Sequence, residues 1–500
     1  MIQATQEFLK QNDELFEKRK KEILESPDTL EFKGRVFYVS SSNGSDANDG
    51  MTPETPWQTL QKVSSVALRP DDAILFKRGD LFRGIVRTKP GVTYAAYGTG
   101  EKPKFYGWNK DLADPSLWEL TDKEHNIWKL KEKILDCGTL VFNHGEAHCR
   151  KLIPSYRDLQ YVCRDDESRV FDMKVEMTQD LDIFWEFDEL LSRTPWKGED
   201  FPVPVVTDTS YGQLYLRCDK GNPGEVFDSV EAVTKRVMFL IGSNPNVKID
   251  NLCMKYIGIH AVAAGGHVVG LHVTNCEIGW IGGTIQNYFG TDPNYPQGRR
   301  GSVTRYGNGV EIYGGCDDYL VSNCYIYESY DAGITHQINT TNKVTMTNIR
   351  YTDNIIEKCV YGIEYFLDQK DGEKESFMDD IVMSGNIFRL TGYGWGQQRH
   401  NVDTPSHIKG WSYVNTASNF EIKDNVFDRS AYRSVHLVAL KQESCPKLDG
   451  NTFIQHLGGK IGQYGANEIA EPENMVFDED AENKINGILG DKNAKVYYIK

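Results

Sequence analysis

Short apolar runs alternate with polar turns along most of this chain, and from Asp250 to Phe453 the alternation becomes a repeat. A polar or small residue is followed by an Asn, Cys or Leu and then by mostly apolar residues. Short β-type runs with one polar residue at a fixed turn and a period in the twenties to thirties predict a solenoid. The segments are Asp250–Cys253, Asn275–Ile278, Asn323–Ile326, Asp353–Ile356, Gly385–Phe388, Asp424–Phe427 and Gly450–Phe453.

Most repeats carry a second signature, in which a small residue precedes an apolar residue and a variable one. Side chains alternate along a strand, so the apolar residue is expected to point inward and the next one outward. Asn is expected at the turn because it tolerates a left-handed backbone and hydrogen-bonds along a stack. The predicted outward positions are His260, Glu311, Thr335, Glu364, Gly396 and His436.

These patterns predict an all-β chain: a right-handed parallel β-helix with an inserted β-sandwich and an N-terminal capping helix. The helix, between Thr5 and Ser26, is expected to cover the open first coil. Short alternating strands after Phe105 predict the inserted sandwich. The expected divisions are an N-terminal cap at 1–34, first coils at 35–104, the insertion at 105–235, the main β-helix with active-site loops at 236–455 and a C-terminal cap at 456–500.

The first coils carry a family resemblance. The segments YVS, GSDANDG, PETPWQTLQKV, DAILFKRGDLFRG and TYAAYG stand in order between Tyr38 and Gly98. They resemble the opening of pectate-lyase-like β-helix enzymes (the pectin lyase fold) that act on carbohydrates. A β-helix interrupted early by a β-sandwich also resembles the β-helix β-xylosidase family. That resemblance implies a retaining glycosidase with an Asp/Glu pair.

Composition narrows the range of partners. A net charge of −16 argues against nucleic acid and anionic membranes. The first 22 residues are charged throughout and lack the apolar core of a secretory signal, and no later run is long enough to span a membrane, so a cytoplasmic protein is expected. The ten cysteines show no paired metal spacing and are expected to be buried free thiols. Oligomerisation stays open.

Paired carboxylates are the chemistry that the repeat offers. Glu311 and Glu364 share the outward register two coils apart, which separates their backbones by about 9–10 Å. Carboxyl separations near 5 Å imply retention and those of roughly 6.5–9.5 Å imply inversion in glycoside hydrolysis. Asp331 and Asp368 are the alternative partners. A solvated surface remains the competing interpretation for each of them.

Substrate-binding residues are predicted among the aromatic, histidine and arginine side chains near this register. Aromatic rings stack on sugar faces, and arginines clamp carboxylates or phosphates. Packing within the protein is the competing interpretation, above all for His336, which follows an outward position and points inward. The candidates are His260, His336, His436, Trp395, Trp411, Tyr288, Tyr306, Arg299 and Arg300.

No cofactor and no catalytic metal are predicted, because zinc and EF-hand spacings are absent. A structural Ca²⁺ is conceivable in the loops that contain Asp46, Asp49, Asp371 and Glu373. The leading hypothesis is a glycoside hydrolase acting on oligosaccharides or glycosides. The alternatives are a polysaccharide lyase or uronate epimerase, suggested by Arg299, Arg300 and Arg305, and a non-catalytic carbohydrate-binding β-helix.

Overall fold

The computed structural model is dominated by three long sheets of mostly parallel strands, which the chain visits in turn. It describes residues 1–155, 162–163, 172–187, 206–289, 302–370, 375–399, 404–411, 416–468 and 470–500; for residues 154, 155, 162, 163, 287–289, 302 and 303 only the backbone is described. One coil, for example, runs through Thr345–Thr352, Ile355–Glu357 and Tyr361–Gln369, one strand in each sheet. The predicted all-β class and parallel β-helix are confirmed.

Sheet one opens each coil. Its strands pair in parallel and in register from the first coil to the last. The strands are Val36–Val39, Ala73–Lys77, Thr93–Tyr97, Lys248–Asp250, Val268–Val269, His272–Thr274, Cys316–Ser322, Thr345–Thr352, Phe377–Ser384, Ala417–Lys423 and Lys447–Asp449.

Sheet two follows after a tight turn. Its first part pairs with Cys137–Phe142 from the inserted segment, and its last strand pairs with the N-terminal residues Ile2–Gln3. The strands are Ile2–Gln3, Leu81–Arg83, Lys104–Tyr106, Cys137–Phe142, Ala147–His148, Val230–Thr234, Cys253–Ile257, Glu277–Ile281, Tyr325–Ser329, Ile355–Glu357, Ile387–Thr391, Val426–Ser430, Thr452–His456 and Lys495–Ile499.

Sheet three closes each coil and carries the candidate site. Its strands are parallel except at the C-terminal end, where Met475–Val476 pairs antiparallel with Lys460–Ala466. The strands are Val86–Arg87, Phe239–Leu240, Val262–Ala264, Val310–Ile312, Ala332–Thr340, Tyr361–Gln369, Ser406–Gly410, Arg433–Ala439, Lys460–Ala466 and Met475–Val476.

The turn between sheets one and two explains the repeated asparagine. The left-handed residue is the one before it: Asp353 has φ 59°, Gly385 67° and Asp424 56°. Asn386 itself is buried; its backbone amide donates to Asn425 Oδ1 at 3.0 Å, and its side chain donates to the Tyr351 carbonyl at 2.8 Å. The prediction that Asn itself takes the left-handed backbone is confirmed in the earlier coils, where Asn275 has φ 55° and Asn323 φ 54°, and is wrong for the later ones. The predicted stacking along the coils is present. The buried stack contains Cys276, Cys324, Asn354, Asn386, Asn425 and Asn451.

The nine cysteines whose side chains are described are all buried and free. Cys276 and Cys324 belong to the turn stack. Cys253 is buried beside Glu277 of the neighbouring coil, while Leu252 and Met254 on either side of it enter the core.

The N-terminal helix Gln6–Leu24 forms as predicted, but it lies elsewhere than expected. Its buried Phe16 and Ile23 pack on Tyr325 and Ile355, so the helix runs along the outer face of sheet two. The reason is its polar side: Arg389 donates to Asp13 Oδ1 at 2.6 Å, which fixes the helix against the sheet. The helices of the described residues are Gln6–Leu24, Leu60–Ser65, Met173–Glu176, Pro223–Val226 and Ala481–Lys484, with single 3-10 or π turns at Pro115–Leu117, Asn143–Gly145, Trp395–Gln398, Gln442–Ser444 and Ile485–Leu489.

The inserted segment forms a separate sheet over its own core. Trp118, Leu130, Trp185 and Leu214 are buried together with Phe142, which lies on sheet two. The insertion therefore packs against an extension of the β-helix. The β-sandwich description stays a prediction. The strands of this sheet are Trp118–Asp122, Ile127–Leu130, Ile134–Leu135, Arg150–Leu152, Asp182–Glu186 and Tyr211–Arg217. A short two-stranded pair in the same segment joins Pro154–Ser155 to Val162–Cys163. A second pair, Thr284–Phe289 with Ser302–Tyr306, lies later in the chain, between coils of the main β-helix.

Candidate active site

One outward column of sheet three brings the predicted carboxylates together. Glu311 lies beside Thr335, because the preceding residues Val310 and Ile334 are partners across the sheet. Thr335 is the partner of Glu364, and Glu364 is the partner of Lys409. The full column reads Arg87, Leu240, Ala263, Glu311, Thr335, Glu364, Lys409, His436 and Gln463.

Glu311 is buried and its carboxylate is held by neighbouring side chains. Asn308 Nδ2 donates to Oε2 at 2.6 Å, and Gln337 Nε2 donates to Oε1 at 3.1 Å. The Thr335 hydroxyl also hydrogen-bonds to Oε2. Burial raises the pKa of Glu311 to about 7, although these donors oppose the rise. Both oxygens are therefore engaged by the fold.

Glu364 is also buried but much less constrained. Trp411 Nε1 donates to its Oε1 at 2.6 Å, and no described residue donates to Oε2. Burial and then the charge of Asp331 raise the pKa of Glu364 to about 8, with Arg399 and the Trp411 hydrogen bond acting in the opposite direction. Glu364 is thus a carboxylic acid that keeps its proton at neutral pH.

Asp331 stands just before the strand Ala332–Thr340, at the edge of the same cluster. Its side chain forms an ion pair with Arg399, and both side chains are largely buried. Its carbonyl accepts hydrogen bonds from the amides of Val360 and Tyr361, both at 3.0 Å, which fixes the residue against the next coil. Arg399 supplies a counter-ion for a carboxylate beside a protonated Glu364.

Lys409 and Trp411 extend the site toward the C-terminal coils. Lys409 is 3% exposed, and its Nζ lies 4.1 Å from the centroid of the Trp411 ring. Burial lowers the pKa of Lys409 to about 7, with Arg433 adding to the fall and Glu364 opposing it. The indole therefore contacts the candidate acid through its N–H and a lysine through its face.

His436 and His260 flank the carboxylates in two different ways. His436 continues the outward column, and its Nδ1 lies 2.8 Å from the Gly410 carbonyl oxygen. His260 precedes its strand instead, and its Nδ1 accepts from the Asn308 amide at 3.0 Å. Burial lowers the pKa of His260 to about 3 and that of His436 to about 2. Tyr306 meets the His260 ring edge-on, with centroids 5.5 Å apart.

Other predicted residues lie away from the cluster. His336 is buried in the core, stacked on Tyr365 and 2.8 Å from the Tyr351 hydroxyl, because its side chain alternates inward. Trp395 is in a 3-10 turn and packs against Tyr330, donating to the Glu328 carbonyl at 2.7 Å. Gly396 shares that turn, so neither occupies the outward column; Lys409 does.

Asp368 is on the strand of Glu364, four residues further along, and forms an ion pair with Lys370. The clamp residues Arg299 and Arg300 lie outside the described residues, as does the Tyr288 side chain. Arg305 is buried and donates to the Gly283 carbonyl at 2.6 Å.

Sequence reasoning missed Arg399 and Lys409. Arg399 follows a 3-10 turn within an insertion, where no periodic pattern reports which way a side chain points. Lys409 did offer a signal, since Ile408–Lys409 repeats the apolar–outward pair. The pair was overlooked because the bulky His407 stands where the other repeats have a small residue.

The described residues contain no group of three or more His, Cys, Asp or Glu side chains placed to hold a metal. Asp46 and Asp49 accept hydrogen bonds within their own loop: Asp46 from the Thr59 amide at 3.0 Å and Asp49 from the Met51 amide at 3.0 Å. Asp371 and Glu373 lie outside the described residues. Helices in the described part of the chain are too short or too polar to cross a membrane.

Comparison with known proteins gives limited similarity. No family model matches the chain. A lacto-N-biosidase from Bifidobacterium longum subsp. longum is 34% identical over 86 residues, which make up 15% of this chain and 5% of that protein. The chain thus aligns with only a small part of this curated relative.

Solved structures with similar folds are more distant in sequence. The GH136 lacto-N-biosidase from Eubacterium ramulus is 13% identical, with 99% of this chain and 71% of that chain covered at a TM-score of 0.36. XylC, solved in complex with xylose, is 13% identical, with 93% and 82% covered at 0.40. The polygalacturonase from Erwinia carotovora is 9% identical, with 95% and 97% covered at 0.28.

Proposed function

We propose that this chain is a glycoside hydrolase whose reaction takes place on the outward column of sheet three. The observation that carries the proposal is the buried carboxyl group of Glu364, whose pKa is raised to about 8, next to the Asp331–Arg399 ion pair. Glycoside hydrolysis requires such a pair, one carboxylic acid and one carboxylate in different environments.

Glu364 is the proposed general acid. Its Oε2 accepts no hydrogen bond from the described residues, so it is free to meet the glycosidic oxygen and protonate it as the bond breaks. Trp411 holds the other oxygen and orients the carboxyl group. An ionised Glu364 remains after this step.

Asp331 is the proposed partner, attacking the anomeric carbon or activating a water. Glu311 is proposed as a positioning residue, because Asn308, Thr335 and Gln337 already occupy its oxygens. The short segment shared with a lacto-N-biosidase agrees with a glycosidase that cleaves oligosaccharides or glycosides.

A panel of chromogenic aryl glycosides at neutral pH tests the reaction class, with the anomeric form of the first product followed by NMR. We expect release of the phenol and a reducing sugar, with no unsaturated uronate formed. Retention would assign Asp331 as nucleophile, and inversion would assign it as base. Absence of hydrolysis on aryl glycosides and on oligosaccharides of every class would contradict the proposal.

A polysaccharide lyase is the second candidate, and Lys409 is the observation that favours it. A buried lysine with a pKa of about 7 is suited to remove the proton next to a substrate carboxylate, while Glu364 protonates the departing glycosidic oxygen. The product would be an unsaturated uronate. A parallel assay on uronate polymers separates the two reactions, because only a lyase produces the ultraviolet absorbance of this product.

A further inference from the structure

A cavity of about 640 Å³ lies on the N-terminal side of the carboxylate cluster, beyond the residues assigned to the reaction. Its walls come from the first coils, the inserted segment and the hairpin that ends at Tyr306. Its lining includes Arg87 and Leu240, which belong to the same outward column as Glu311. The column therefore leads from the cavity directly to the candidate acid.

The cavity is cationic, in contrast to the chain as a whole. Arg87, Lys235 and Arg236 line it, and Asp208 is the carboxylate among its lining residues. None of the three cations forms an ion pair with a residue that the structure describes. The chain carries a net charge of −16, so a local excess of positive charge is not a general property of its surface.

Lys235 is the buried member of this set. It is 4% exposed, it donates to the Ile285 carbonyl, and its Nζ lies 5.1 Å from the centroid of the Tyr306 ring. An ammonium group at the wall of a cavity, whose hydrogen bond within the described residues is to a carbonyl alone, gains from an anionic ligand. Arg87 is exposed and Arg236 half-buried, so both have access to the same ligand.

The cavity connects physically to the carboxylates. Tyr306 packs edge-on against His260, the Asn308 amide donates to His260, and the Asn308 side chain donates to Glu311 Oε2 at 2.6 Å. Between Arg87 and Glu311 the column contains Leu240 and Ala263, which carry no charge. Three strand spacings separate Arg87 from Glu311, about 14 Å.

We propose that this cavity is a distal substrate subsite for an acidic sugar residue, a uronate or a sulfated or phosphorylated ring, bound on the N-terminal side of the bond that is cleaved. The proposal rests on the proposed function, since it treats the outward column as the path of the glycan. Arg87, Lys235 and Arg236 would contact the anionic group, and Tyr306 would contact the sugar. The reacting ring would then lie between Asp331 and Glu364.

Binding without turnover tests the subsite independently of the reaction. In a Glu364→Gln background, titration calorimetry compares a glucuronate-terminated disaccharide, its neutral glucose counterpart, a sulfated counterpart, free glucuronate and inorganic phosphate. We expect the acidic disaccharides to bind at least about tenfold more tightly than the neutral one, with the preference falling as salt is raised. Arg236→Gln and Arg87→Gln, each combined with Glu364→Gln, should each remove most of that preference.

Lys248→Gln is the matched control, because Lys248 is an exposed cation on sheet one and does not line the cavity. It should leave the preference unchanged. Equal affinity for neutral and acidic disaccharides, an equal loss in the control, or phosphate binding as tightly as the acidic disaccharide would overturn the proposal. If the wild-type protein hydrolyses no glycoside while the binding preference for acidic disaccharides is intact, only the proposed reaction is contradicted.

Discussion

Asp331 and Glu364 come from neighbouring coils of the β-helix, and after burial the charge of Asp331 is the largest influence raising the pKa of Glu364. Arg399 pairs with Asp331 and opposes that rise. The two carboxyl groups thereby stand in different environments, Glu364 with a raised pKa and Asp331 in an ion pair. Such a division of roles is how a pair of similar side chains performs acid and base chemistry together.

Replacing the carboxylic acid of Glu364 by an amide should slow the reaction strongly. We expect Glu364→Gln to fold normally and to lose about 100-fold to 10,000-fold in kcat/KM on the best aryl glycoside, since the general acid is gone. Glu421→Gln, on an exposed position of sheet one, is the control and should retain full activity. Wild-type turnover in Glu364→Gln would exclude Glu364 as the acid.

Asp331→Asn tests the electrostatic coupling as well as the chemistry. Loss of the Asp331 charge leaves Arg399 unneutralised, and both effects lower the pKa of Glu364 from about 8. The residual activity should therefore decline at a lower pH than in the wild type, whose activity should fall as pH rises through about 8. The pH dependence of kcat/KM measures this shift. If activity falls at the same alkaline pH in Asp331→Asn as in the wild type, the pKa of Glu364 does not control the basic limb of the pH profile.

Trp411→Phe removes the indole N–H that hydrogen-bonds to Glu364 but keeps an aromatic ring at the position, so it tests the hydrogen bond alone. The bond to Glu364 Oε1 favours the ionised carboxylate, so its loss should move the basic limb of the pH profile upward, opposite to Asp331→Asn. The ring that Lys409 contacts is largely kept, so KM should change less than in Trp411→Ala. A downward or absent shift would argue against this bond acting on Glu364.

Glu311→Gln should cost less activity than Glu364→Gln or Asp331→Asn, because Glu311 is proposed to position the site rather than to react. It should also alter the pH dependence of stability. The folded pKa of about 7 exceeds the ordinary value of 4.5, so its stabilising effect is fully present below pH 4.5 and lost as pH rises through 7. Thermal unfolding at pH 5 and pH 8 should show a smaller pH-dependent decrease in Tm for Glu311→Gln than for the wild type. An equal decrease would contradict the assignment.

The turn stack predicts a large stability cost for Asn386→Ala. The change leaves the Tyr351 carbonyl and the Asn354 amide without their partner in a buried turn. We expect a loss of about 3 kcal/mol in the free energy of unfolding, measured by urea denaturation. Asn483→Ala, which removes an exposed hydrogen bond to Asp480, should change stability by less than about 0.5 kcal/mol. Comparable losses in both variants would show that the stack is not the cause.

The sequence by itself determined the β-helix and much of its outward register. Periodic apolar residues fix which side chains enter the core, since a one-residue slip would turn every side chain to the other face. For that reason Glu311, Thr335, Glu364 and His436 could be placed on one column from the pattern alone. The helix at Gln6–Leu24 was likewise predicted from its amphipathic spacing, but the surface that it covers could not be predicted.

Only the tertiary structure decided which residues complete the site. Asp331, Arg399, Trp411 and the cavity beside Arg87 lie in turns or insertions, or depend on neighbours far apart in the chain, where no period relates sequence to direction. His260 matched the local signature but precedes its strand, on which Ala263 occupies the column. Gly396 lies in a 3-10 turn, and Lys409, further along the chain, occupies the column in that coil. The protonation of Glu364 depends on burial and on charges from other coils, and these are properties of the assembled fold.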